Sequence, residues 1–128
     1  TEAFNRIMEA FGLPKKTEEE KAARSAAIQA ATLFATQVPL HTMQASFKVF
    51  ELCKAMAEEG NPNSVSDAGV GVLAARAAVL GAGLNVKINA SGLKDRETAD
   101  KLVGEANELI KKANELEAEI MKIVEEKL

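Results

Sequence analysis

The 128-residue chain has no tryptophan, no tyrosine, one cysteine and one histidine. A lone cysteine, Cys53, excludes an intrachain disulfide. With a lone histidine, His41, it also argues against a Cys/His zinc centre or a Ser-His-Asp triad within one chain. Aromatics make up 4% of the residues against 47% apolar in all, so the core must be built from Ala, Leu, Val and Ile. Ala and Gly in that proportion imply helices that approach closely. Excess positive charge is missing too. Sixteen basic against nineteen acidic residues leave a net charge of −3, which does not suit a general nucleic-acid binder. No basic start followed by an apolar run opens the chain, so no signal peptide is visible and the cytoplasm is the expected compartment. No segment alternates with the period of a strand, and no hairpin turn is recognisable.

What is present is helical periodicity. The expected fold is all-α: a bundle of about five helices with a central Ala/Gly-rich buried helix and a long C-terminal one, in one domain spanning residues 1–128. The first helix runs from Glu2 to Phe11. Phe4, Ile7, Met8 and Phe11 recur at i, i+3, i+4 and i+7 as an apolar stripe, and Gly12 and Pro14 end it. The second starts at Thr17, where T-x-x-E makes a capping box with Glu20, and extends to about Gln37. Pro39 breaks or kinks the chain. The third runs from about Leu40 to Glu59, with Met43, Phe47, Phe50, Cys53 (or Lys54) and Ala57 inward and Gly60 as its stop.

The stretch GNPNSVSD, Gly60 to Asp67, then leads into a nearly uncharged helix, Ala68 to Val86, continuing to about Asn89. Its glycines, Gly69, Gly71, Gly81 and Gly83, each cost about 1 kcal/mol of helix propensity in an exposed interior. Close approach by a neighbouring backbone or a ligand would explain that cost. This helix is long enough to span a bilayer, but Arg76 at its centre opposes insertion, so a buried helix without membrane contact is expected. Arg76 should find a carboxylate partner, either from another helix or from a ligand, since an unpaired charge there is costly. The fifth helix is capped by Asp95 and runs to the C-terminus. Leu102, Leu109, Leu116 and Ile123 repeat every seven residues beside Ala106, Ala113 and Ile120. Some thirty helical residues span roughly 45 Å, so this helix must lie along the body or against a second subunit.

Several segments together resemble one family. GNPNSVSDAGVGVLAARAAVLGAGLNVKIN is similar to the core of the formiminotetrahydrofolate cyclodeaminase and methenyltetrahydrofolate cyclohydrolase family. So is FGLPKKTEEEKAARSAAIQAA, with its LPK, its TEEEK and Arg24 three residues on, followed by QVPL. The resemblance covers nearly the whole chain in order. It implies an all-helical, usually dimeric enzyme of folate one-carbon metabolism. The implied reaction is closure of 5-formimino-tetrahydrofolate to 5,10-methenyl-tetrahydrofolate with release of ammonia. The alternatives are hydrolysis of the methenyl compound, or a non-catalytic helical oligomerisation module. It implies no metal or redox cofactor, a tetrahydrofolate (poly)glutamate substrate, a homodimer and no nucleic-acid partner. It also places an acidic residue immediately before the position aligned with Thr1, so the chain is expected to be the carboxy-terminal part of a family member.

Each candidate site residue has an ordinary reading beside the one the resemblance implies. Asp67 is by default a first-turn carboxylate stabilised by the helix dipole; the resemblance makes it an acid or acceptor near the pterin. Ser66 and Asn63 are caps by default and substrate contacts by resemblance. Asn85 and Asn89, four apart, share a helix face. They either satisfy structural groups or, as the resemblance implies, read a pteridine edge. Lys15 and Arg24 are solvated charges or the cationic groove for glutamate carboxylates. The expectation that ties these together is one cavity lined by the polar ends of the glycine-bearing helix.

Overall fold

The computed structural model describes all 128 residues. It contains four α-helices and one 3-10 turn and no strand: α1 (Glu2–Gly12), α2 (Glu18–Glu59), the turn Pro62–Ser64, α3 (Val65–Ala90) and α4 (Arg96–Lys127). The all-α expectation holds, with four helices rather than five. The difference lies at Pro39. The expected second and third helices are one 42-residue helix with Pro39 inside it.

A proline in a helix interior costs about 3 kcal/mol, because it has no N–H for the carbonyl four residues back. Here that carbonyl belongs to Ala35. The side-chain Nδ2 of Asn89, on α3, donates to it at 2.8 Å. The missing backbone bond is replaced from the neighbouring helix. On either side of the proline, Ala35, Thr36, Leu40 and Met43 are buried, so both halves of α2 are held in the core. Interhelical packing therefore overrides the local break.

Local chemistry sets the other boundaries where the sequence places them. Thr17 Oγ1 accepts from the Glu20 N–H at 3.1 Å, and the Glu20 carboxylate accepts from the Thr17 N–H at 3.3 Å. Asp95 caps α4 by accepting from the Thr98 N–H at 3.1 Å and the Thr98 hydroxyl at 2.7 Å. These bonds hold the Asp95 carboxyl below its ordinary value, the side-chain bond contributing most. In GNPNSVSD, Asn61 Oδ1 accepts from the Asn63 N–H at 3.0 Å and opens the 3-10 turn. At the far end, Lys127 Nζ donates to the carbonyls of Ala57 and Glu58 at 2.6 Å each, so the last turn of α4 caps the last turn of α2.

The core lies where α2, α3 and α4 meet. Met43, Phe50, Val72, Val79, Val86, Ala106, Ala113 and Ile120 are almost fully buried there. Close approach explains three of the four α3 glycines. A Cβ on Gly69 would lie 3.2 Å from Val124 Cγ1, one on Gly71 2.7 Å from Cys53 Sγ, and one on Gly83 2.8 Å from Ile110 Cδ1. Gly81 meets nothing within 4 Å. The seven-residue seam of α4 packs along the body: Ala106, Ala113 and Ile120 are buried, and Leu109, Leu116 and Ile123 lean on the same cluster. Arg76 finds its carboxylate, Glu117 at 3.5 Å, and donates to Asn114 Oδ1 at 2.8 Å. By length and composition Pro62–Ala90 is long and apolar enough to cross a membrane.

Three helices leave an apolar face open. On α1 only Ala10 is buried, while Phe4, Met8 and Phe11 are more than half exposed. The predicted stripe exists but the chain does not cover it. The outward side of α3 exposes Val70, Leu73, Leu84 and Ile88, and that of α2 exposes Val49, Leu52 and Met56.

Candidate functional site

A cleft of about 550 Å³ opens between the start of α1, the Pro39 region of α2 and the second half of α3. Phe4, Ile7, Val38, Pro39 and Ala82 form its apolar walls, and Thr1, Thr42, Asn85 and Asn89 supply its polar groups. The two asparagines meet there as their four-residue spacing predicts. Both use their amide nitrogens within the protein. Asn89 donates to Ala35 as above, and Asn85 Nδ2 donates to the Gly81 carbonyl at 3.2 Å. Their Oδ1 atoms take part in no hydrogen bond within the protein, and both residues line the hollow. No buried side-chain polar atom lacks a partner. An apolar cleft with a few convergent polar groups suits a flat heteroaromatic ligand whose edge carries N–H donors.

A second hollow of about 430 Å³ lies nearer the start of α2. Its walls include Lys15, Lys21, Arg24 and Lys94 with Ser25 and Gln29, and no carboxylate. Lys15 and Arg24 thus come together as charge chemistry suggests. Arg24 is partly committed: it donates to the Phe11 carbonyl at 3.3 and 3.2 Å and lies over the Phe11 ring, fixing the corner between α1 and α2. Lys21 pairs with exposed Glu18 at 2.9 Å. Sequence reasoning missed Lys94 and Gln29. The Gln29 amide clamps the α3–α4 connection, donating to the Gly92 carbonyl at 3.1 Å and accepting from the Lys94 N–H at 2.8 Å. Lys94 Nζ is thereby steered to Ser25 Oγ at 2.8 Å. Residues some 63 to 69 apart in sequence make these contacts, so no local signal could have revealed them. From Arg24 to Thr36, beside the first cleft, is about 18 Å along α2 at 1.5 Å per residue.

Asp67, Ser66 and Asn63 do not join either hollow. All three are exposed at the start of α3. Eighteen residues separate Asp67 from Asn85, which is five helical turns and about 27 Å. The expected single cavity around both ends of α3 is therefore not formed within one chain. A continuous 26-residue helix keeps its ends apart. No cluster of His, Cys, Asp or Glu is placed to hold a metal ion. Burial raises the Cys53 thiol above its ordinary value, in keeping with a packing role against Gly71.

The family model described as formiminotransferase-cyclodeaminase matches residues 1–108. The chain belongs to that family. Among curated members, it is 46% identical over 127 residues to the methenyltetrahydrofolate cyclohydrolase of Methylorubrum extorquens, covering 99% of this chain and 61% of that protein. It is 35% identical over 124 residues to the formimidoyltransferase-cyclodeaminase of Dictyostelium discoideum, covering 97% of this chain and 22% of that protein. The counterpart from Gallus gallus is 31% identical over 125 residues, covering 98% of this chain and 23% of that protein. The chain thus spans about three fifths of the cyclohydrolase and less than a quarter of the two larger family proteins. Family membership agrees with the resemblance drawn from GNPNSVSD, LPK and TEEEK.

Proposed function

We propose that this chain is the folate-binding helical body of an enzyme that transforms the one-carbon bridge of tetrahydrofolate. The observation that carries the proposal is the pairing of two hollows along α2. One is apolar with two asparagine oxygens free; the other is cationic. A reduced pterin has a flat ring with N–H donors on one edge, and a glutamate tail carries carboxylates at the far end. The pterin would lie in the Asn85/Asn89 cleft, and the tail would run toward Lys15, Arg24, Lys21 and Lys94.

Two reactions suit such a cleft. Cyclodeamination closes the bridge as the N10 amine, outside the pterin ring, attacks the formimino carbon held on N5, and the departing nitrogen is protonated and leaves as ammonia. Hydrolysis of the methenyl bridge adds an activated water to the same carbon. Each needs one acid/base group tuned toward neutrality. Of the two reactions, hydrolysis is favoured by the higher identity to the Methylorubrum cyclohydrolase than to the cyclodeaminases. We also propose a homodimer in the cytoplasm, joined through the exposed apolar side of α2 and α3, with no cofactor beyond the folate. The test uses the purified protein. Methenyl-tetrahydrofolate loss is followed by its near-ultraviolet absorbance, and ammonia release is assayed from formimino-tetrahydrofolate. Absence of both activities, with no binding of tetrahydrofolate pentaglutamate, refutes the proposal.

A further inference from the structure

We propose that Pro39 is a positioning residue of the cleft: the carbonyl it frees at Ala35 clamps the Asn89 amide, so that Asn89 meets a ligand with its Oδ1 already set as the acceptor. This rests on the reading of that cleft as the folate site.

Ala35, Pro39, Asn85 and Asn89 all line the same hollow. Pro39 brings no N–H, so the Ala35 carbonyl four residues back has no helical donor, and the proline ring crowds that carbonyl aside. Asn89 Nδ2 donates to it at 2.8 Å. A carbonyl oxygen only accepts, so the amide atom that faces it must be the nitrogen. The oxygen is then the atom left for a ligand. A backbone N–H in the same place would select the opposite orientation. Asn85 is held differently. Its Nδ2 bonds the Gly81 carbonyl one turn back on its own helix, a contact open to an asparagine in any helix. Only the Asn89 clamp needs the proline.

Stability alone gives the proline no reason to be there. An interior proline costs a helix more than one neutral hydrogen bond contributes, so the clamp does not offset the defect. A local cost of this kind is expected where a segment serves a ligand rather than its own stability. Both ends of the clamp are also rigid, as a preorganised group requires. The Asn89 carbonyl accepts from the Gly92 N–H at 3.0 Å, and the neighbouring Ala90 is buried. On α2, Thr36 follows the freed carbonyl; it is buried, and its hydroxyl donates to the Thr32 carbonyl at 2.8 Å. With both backbones fixed, the amide is the one part the clamp has to orient.

A free asparagine amide turns about its side-chain torsions and presents either its nitrogen or its oxygen. Ligand binding then has to order it, which lowers affinity about three- to tenfold for one immobilised side chain. The clamp removes that loss before the ligand arrives. It also biases the site toward N–H donors, because an acceptor edge would meet an oxygen and leave it unpaired. The amino and ring N–H groups on one edge of a reduced pterin are such donors.

Binding to the purified protein tests this with wild type, Pro39→Ala, Asn89→Ala and the double variant. The probe is 5-formyl-tetrahydrofolate pentaglutamate, whose tail keeps residual binding measurable when Asn89 is removed, and isothermal titration reads it. Pro39→Ala should raise the urea midpoint yet weaken the probe about three- to tenfold. In the Asn89→Ala background the same proline substitution should change affinity by less than about twofold. The side-chain amide protons of Asn89, followed by NMR, should exchange more slowly in wild type than in Pro39→Ala. Unchanged affinity in Pro39→Ala overturns the proposal. So does an equal loss in both backgrounds, which would make Pro39 a wall of the cleft and nothing more, and so does equal exchange of the Asn89 amide in the two proteins. In each of these the folate reading survives, because wild type binds. A wild type that binds no probe while its Asn89 amide stays protected sinks the folate reading and the positioning role together, and leaves the clamp a structural repair.

Discussion

Asn89 offers the sharpest test of how this fold is held together. Pro39 leaves the Ala35 carbonyl without its helical donor, and Asn89 Nδ2 replaces that donor at 2.8 Å. Asn89→Ala removes the replacement and leaves a part-buried carbonyl unpaired, a loss of about 1–3 kcal/mol. For a chain of this size, that corresponds to a fall of roughly 3–12 °C in Tm. Pro39→Ala restores an N–H four residues after Ala35 and should by itself stabilise α2 by up to about 3 kcal/mol. The two substitutions should not add. With Ala at 39 the carbonyl has a backbone donor, and Asn89→Ala should then cost no more than about 0.5 kcal/mol. Urea melts of the four proteins, followed by circular dichroism, measure the coupling. Equal costs of Asn89→Ala in both backgrounds would show that Asn89 does not serve the proline gap, and that α2 continues through Pro39 for another reason.

Gly83 and Gly81 should respond in opposite ways to alanine. At Gly83 the new Cβ meets Ile110 Cδ1 at 2.8 Å and Met43 Cε at 3.3 Å, and overpacking costs about 1–3 kcal/mol. Gly81→Ala has open space and should raise the thermal stability of the isolated monomer by about 0.5–1 kcal/mol. Calorimetry at low protein concentration compares them, and destabilisation by Gly81→Ala there would contradict the structure. Lys94→Ala should weaken binding of tetrahydrofolate pentaglutamate several-fold and leave the monoglutamate almost unchanged. Isothermal titration reads this, and an equal loss for both ligands would remove the tail from the cationic hollow. The Asp95 carboxyl titrates lower in the folded chain than in the unfolded one. Its charge therefore contributes stability above the unfolded value near pH 4, and that contribution is lost as pH falls through the lowered folded value. The stability difference between wild type and Asp95→Asn should be constant from pH 7 to 5 and shrink below pH 4. A difference that persists at pH 2 would show that the charge is not the source.

Sequence alone carried the helical boundaries that depend on neighbours three or four residues apart. Thr17 with Glu20, Asp95 with Thr98, Gly60 as a stop and the inward rows of α4 all depend on such short-range chemistry, and all stand in the structure. The family, too, was legible in GNPNSVSD, LPK and TEEEK. What the tertiary structure decided came from contacts that span 50 residues or more. Pro39 reads as a break until Asn89 reaches across from α3 to Ala35. Lys94 looks like a solvated loop charge until Gln29 pins it beside Arg24 and Ser25. Asp67 and Asn85 look like partners because they flank one helix, yet a straight α3 holds them 27 Å apart. Local propensity is written in adjacent residues, whereas a site is assembled by helix packing, and packing compares surfaces that the linear order of residues does not place side by side.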